Sequence, residues 1–291
     1  MMRSLLFLLA IVALARSLRV VPSQRAILVK RMSSTSPYIH TPYSAISTSL
    51  HSTGSVTSAE DGKTNKFVKI VYQIAAALNT VLIFYPPCPF KEDKIVYMIA
   101  AMNSFILSSA ASRARLSGTT FKLLNTATMS MALPLTISAL RNYKQVFKDK
   151  VGIMIFFAYL FQTKGSFKSL RVYGLPSLKI EKPNSLLSFG YVLSFITSLY
   201  VGVNQMHLNP SLDGICAMIV IPTIHYILSL AANAKRLDSA TYRELNILVI
   251  LASLIKLINN GFQWNILPSV FSAFHGVIAI LGLIQSYLIK K

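Results

Sequence analysis

Residues Ile227–Asn246 read ILSLAANAKRLDSATYRELN, and residues Ile106–Asn125 read ILSSAASRARLSGTTFKLLN. Ten of the twenty positions are identical at a constant offset of 121, among them Ser108/Ser229, Arg115/Arg236, Leu116/Leu237, Thr120/Thr241 and Asn125/Asn246. Phe121/Tyr242 and Lys122/Arg243 keep their chemical type. Each passage begins inside an apolar block, crosses a short basic connection and enters the next block. Around it Pro89 pairs with Pro210, Leu133 with Leu254 and Ile137 with Ile258, while the last block pairs Gly152 with Gly276 after a three-residue shift. Residues 67–163 and 185–289 thus read as two copies of one four-span unit. Four spans return the chain to its starting side, so the copies share an orientation. A pseudo-twofold along the membrane normal is expected, not an inverted repeat.

Composition supports a membrane setting. The chain is 53% apolar and 13% charged over 291 residues, with a mean hydropathy of +0.54. A soluble domain of this size carries more charge. The apolar residues fall into blocks near the ~20 residues that a spanning helix needs, at 67–85, 95–112, 120–140, 151–163, 185–204, 214–233, 245–262 and 267–289. The fourth block, 13 residues long, also suits a re-entrant or interfacial segment. The expected fold is therefore an all-α integral membrane protein of about eight transmembrane helices, arranged as two parallel four-helix repeats.

All nine acidic residues lie before the first block, in connections or at a block's edge. The net charge of +20 is read as topological, because Lys and Arg gather on the untranslocated side. The first flank, connections 2–3, 4–5 and 6–7, and the C-terminus hold 16 basic residues, against six in the other connections. Both ends of the mature chain are expected on the cytosol-like side. No basic soluble module suited to nucleic acid is present. The expected partners are the bilayer, its anionic headgroups and other membrane proteins.

Met1–Ala15, MMRSLLFLLAIVALA, has one Arg, an eleven-residue apolar run and a small-x-small end, the form of a signal peptide. Residues 16–59 hold sixteen Ser/Thr, five Arg/Lys and no acid, a transit-peptide composition. Together they resemble the bipartite presequence of algae with secondary plastids, which implies a plastid membrane reached through the ER. The alternative is an ER membrane protein with a Ser-rich N-terminus. The expected organisation is a signal peptide at 1–15, a transit-like stretch at 16–62, repeats at 63–163 and 185–291, and a basic linker at 164–184.

Catalytic signatures are missing from the sequence. No span carries the Asp that magnesium–pyrophosphate chemistry needs, and His207, His225 and His275 are isolated rather than spaced for iron. Zinc, nucleophile-elbow and phosphate-loop motifs are absent. No enzyme activity, cofactor or metal is expected. Carboxylate-relayed proton coupling is disfavoured too, since such carriers use embedded Asp or Glu.

Embedded polar residues remain. His225 sits beside Pro222 and corresponds to Ser104, next to Asn103; Lys256 lies deep in the seventh block. Polar groups in hydrocarbon are costly and turn inward. Lys256, His225, Asn103, Asn125 and Asn246 are thus candidates for a solute path, with Arg115 and Arg236 as a paired basic vestibule. The competing assignments are ordinary ones. Lys256 snorkels, His225 makes an interhelical bond or ligates a porphyrin or metal, and the asparagines bond across helices. The arginines then contact headgroups, and Asp238, Thr120 and Thr241 cap helices. The two classes of function are a permease for a small, anionic solute and a non-catalytic scaffold or assembly factor for a membrane complex.

Overall fold

A computed structural model describes residues 58–84, 94–178, 181–208, 212–261 and 267–288. The signal peptide, nearly all of the transit-like stretch and Cys88 lie outside the described residues. Those described are helical apart from short connections: α1 (Ser58–Phe84), α2 (Lys94–Ser112), α3 (Thr119–Arg141), the single turn α4 (Tyr143–Val146), α5 (Lys150–Tyr173), α6 (Leu186–Leu208), α7 (Leu212–Asn233), α8 (Ala240–Asn259) and α9 (Leu267–Leu288). Five of these, α1, α2, α3, α6 and α9, contain stretches long and apolar enough to cross a membrane. The fold is consistent with an α-helical membrane protein.

The short fourth block belongs to a 24-residue helix. Its basic second half, KGSFKSLRVY, lowers hydropathy without breaking the helix, so α5 runs ten residues past the block into the expected linker. Two features explain the extension. Gly165 lies so close to Tyr72 that an added Cβ would stand 3.1 Å from its ring, which seats α5 on α1. Termination waits for Gly174, whose φ of +80° suits a residue without a Cβ.

Among the described residues, α1 packs on α2 and α5, and α5 packs on α3. Likewise α6 packs on α7 and α9, and α9 packs on α8. Across the middle, α3 meets α7, α2 meets α8, and α2 touches α7. This leaves α2, α3, α7 and α8 inside and the other long helices outside. Burial follows that order: 72% of the apolar stretch of α2 is buried, against 28% for α9. The outer faces carry large exposed apolar side chains such as Phe84, Phe105, Ile196 and Ile284, as lipid contact requires.

The echoed passages fold alike. Both α2 and α7 end with a residue at positive φ, Ala114 (53°) and Lys235 (52°). The Arg115 amide bonds Ala110 O and the Arg236 amide bonds Ala231 O, each at 2.9 Å. The Ala114 and Lys235 amides bond the carbonyls of Ala111 and Ala232. Both are Schellman motifs, which satisfy the last carbonyls of a helix, here without the usual glycine. Leu116 and Leu237, only 0% and 2% exposed, then anchor the turn, each burial contributing about 2 kcal/mol. The next helices begin at Gly118 and Ser239 without a side-chain cap bond. Capping by Thr120, Thr241 and Asp238 is thereby corrected. The Thr120 hydroxyl instead lies 3.1 Å from the Tyr242 hydroxyl, across the seam between the halves.

Candidate solute cleft

The five path candidates divide into two groups. Asn125 and Asn246 are fully buried and closed into matching bonds. Tyr72 donates to Asn125 Oδ1 at 2.6 Å, and Tyr191 donates to Asn246 Oδ1 at 2.5 Å. Each asparagine amide donates to the carbonyl four residues earlier, Phe121 at 2.8 Å and Tyr242 at 3.0 Å. Ser166 adds a hydroxyl contact to Tyr72 at 2.7 Å. Asn103 donates to Thr128 Oγ1 at 2.6 Å, in α3. Beside it, Gln162 Nε2 donates to Ser104 Oγ at 3.0 Å. These groups tie helices of one half together, and none of the three asparagines lines the cleft that Lys256 lines.

Lys256 and His225 do come together. They line one cleft of about 90 Å³ with His275, Ser198, Ser253 and Ser272. Its apolar walls include Ile95, Ile99, Val249 and Phe271. His225 is completely buried, and neither ring nitrogen has a hydrogen-bond partner. Its ring centroid lies 4.7 Å from that of His275. His275 Nε2 is 2.8 Å from Thr197 Oγ1 on α6. Pro222, inside α7 one turn before His225, cannot donate to the backbone ladder and loosens the helix there.

Arg115 and Arg236 stand elsewhere. Ile95 and Ile99 open α2, whereas Arg115 follows its end, so about 20 Å of helix separates the cleft from the paired turns. Both arginines project from exposed positions at that opposite end. Half-buried Glu244 lies on their side of the molecule. Burial pushes its carboxyl above the usual range, while the Arg113 and Arg243 charges pull it down.

No family model, curated protein or solved structure matches this chain. Its chemistry is therefore argued from the cleft. Among the described residues no cluster of three or more His, Cys, Asp or Glu could hold a metal ion. The cleft offers one cation, two imidazoles and three hydroxyls against apolar walls, a lining suited to orienting one small polar molecule. His275 looks isolated in sequence, fifty residues from His225, because a contact between helices leaves no periodic trace. Thr197 and Gln162 carry no sequence signal either, since Ser, Thr and Gln are common in membrane helices.

Proposed function

We propose that the chain is a permease, a transporter or channel-like protein without catalytic activity of its own, for a small anionic solute in a plastid membrane reached through the ER. The observation that carries this reading is the convergence of Lys256 and His225 on one cleft. A lysine or histidine facing lipid near mid-span costs a few kcal/mol, and a hydrated cleft removes most of that. The ammonium then favours an anion. The presequence composition supports the plastid address.

The proposed frame is two parallel four-helix copies about a pseudo-twofold. The matched Schellman turns, the matched Tyr–Asn bonds and the equivalent helix pairings support it. Gly165 and Gly282 take equivalent places against Tyr72 and Tyr191. They support an offset of 117 in the last helix rather than the Gly152/Gly276 pairing.

In vesicles reconstituted with the full chain, Lys256→Leu is expected to abolish anion flux while leaving insertion and thermal stability intact. Undiminished flux through that variant would refute the permease and reduce Lys256 to a snorkelling residue. A scaffold or assembly factor is the second reading. It is favoured by the engagement of Asn103, Asn125 and Asn246 in bonds that merely hold helices together. Wild-type vesicles without flux for any small anion would decide for it.

A further inference from the structure

Three side-chain amides inside the first half are satisfied on one side only. Asn79, Asn103 and Gln162 are 0%, 1% and 0% exposed, yet Asn79 Oδ1, Asn103 Oδ1 and Gln162 Oε1 have no hydrogen-bond partner. Their nitrogens are all engaged. Asn79 Nδ2 donates to Ala75 O at 2.8 Å, and Gln162 Nε2 donates to Ala100 O at 3.3 Å and Ser104 Oγ at 3.0 Å. Asn103 Nδ2 donates to Thr128 Oγ1, whose own proton goes to Leu124 O. A backbone carbonyl can only accept, so turning the Asn79 or Gln162 amide round would lose those bonds.

The helix registers bring these oxygens to one level. Tyr173 of α5 reaches Asn65 of α1, and Gly165 lies against Val71 and Tyr72, so the two helices run antiparallel. Gln162, three residues before Gly165, therefore stands opposite Ala75. The Asn79 amide folds back onto the carbonyl of that same Ala75. On the third side, Gln162 is bonded over the α2 turn from Ala100 to Ser104, the turn that carries Asn103.

Each buried oxygen left unpaired carries a desolvation cost that a ligand relieves. Water would relieve part of it but adds an oxygen that itself seeks a donor. A cation needs acceptors alone, and amide dipoles can replace its hydration shell as the carbonyls of a potassium filter do. Divalent ions dehydrate reluctantly or take carboxylate ligands. Glu244 lines an outer crevice with Ala76 and Thr80, where the Arg113 and Arg243 charges act on it. We propose that α1, α2 and α5 hold one dehydrated monovalent cation (sodium, potassium or ammonium) on Asn79 Oδ1, Asn103 Oδ1 and Gln162 Oε1. This site lies outside the cleft, and its existence does not depend on the permease reading.

Thermal unfolding of the purified full chain in detergent tests this, in the chlorides of sodium, potassium, ammonium or N-methylglucamine at one ionic strength. At least one of the small cations should raise Tm saturably over N-methylglucamine, by about 4 °C at tenfold its dissociation constant. Asn79→Leu is the mildest variant, because its nitrogen bonds only its own helix. It should weaken binding of that cation at least tenfold, and Asn103→Leu and Gln162→Leu should do the same. Asn246→Leu breaks the Tyr191 bond in the other half and should lower Tm in every salt while keeping the cation-dependent rise. Equal Tm in all four chlorides would overturn the inference and assign these oxygens to water. A rise that survives Asn79→Leu undiminished, or that Asn246→Leu abolishes, would overturn it as well.

Discussion

In the first half, built on α1, α2, α3 and α5, buried polar side chains close on one another, whereas in the second, built on α6 to α9, two histidines face a cleft that α2 also walls. Between α2 and α5, Gln162 reaches Ser104 and the Ala100 carbonyl, while Asn103 reaches Thr128. Between α7 and α9, His225 faces His275, and a cleft remains beside them. The supporting parts match: a Tyr–Asn bond, a glycine under the tyrosine and an αL turn ending in Arg-Leu. Packing and turn geometry tolerate little change without loss of the fold. Polar residues inside that frame are freer to diverge, and here one set binds helices together while the other lines a space.

The largest expected effect tests whether the frame is shared. A Cβ at position 282 would overlap the Tyr191 hydroxyl and come within 3.1 Å of Asn246 Oδ1. Gly282→Ala should lower stability in detergent by about 3 kcal/mol, the upper range for overpacking. Adding Tyr191→Phe should recover part of that loss. Gly165→Ala, whose Cβ would meet the Tyr72 ring at 3.1 Å, should cost less but still destabilise. A stable Gly282→Ala protein would break the comparison at its foundation.

A smaller effect should separate the two interiors. Gln162→Leu removes bonds that hold α5 to α2 and should destabilise by about 1 kcal/mol. His225→Leu removes two buried unpaired nitrogens and should be neutral or stabilising by about 1 kcal/mol, while abolishing ligand-induced stabilisation. Equal losses in the two variants would mean that His225 is a structural bond like Gln162.

The smallest effect concerns the turns. Ala114→Gly and Lys235→Gly each relieve a positive φ and should each raise stability by about 0.5–1 kcal/mol. Chemical denaturation of the two variants should give similar gains. A gain at one turn only would show that the two turns differ despite their matching bonds.

What was legible beforehand follows from the same physics. The echo at offset 121 gave away the turns and the asparagine pair, because identical short-range geometry needs similar residues. Most helix boundaries came within a few residues, since apolar length and breakers mark them. The length of α5 was hidden because Lys164, Lys168 and Arg171 resemble a connection in hydropathy. Convergence on one cavity was legible only for Lys256 and His225. An asparagine satisfies its own helix, as Asn125 and Asn79 do with carbonyls four residues back, so its burial does not tell which way its function lies. The rotation of each helix about its axis, which brings His275 to His225, depends on packing that a linear pattern does not encode. Arg115 and Arg236 follow the ends of α2 and α7, whereas which end the cleft opens towards depends on the pairing of α2 with α8.

The contact between Thr120 and Tyr242 is one-sided. On the twofold proposed above, its mirror would join Thr241 to position 121, which is Phe and lacks a hydroxyl. The second half carries both partners, Thr241 and Tyr242, side by side. Two second halves facing each other would make the contact twice, and two first halves would not make it at all. On that proposed twofold, the second half is the one that carries both residues of the contact, so a single Phe121→Tyr change would let Thr241 make its mirror.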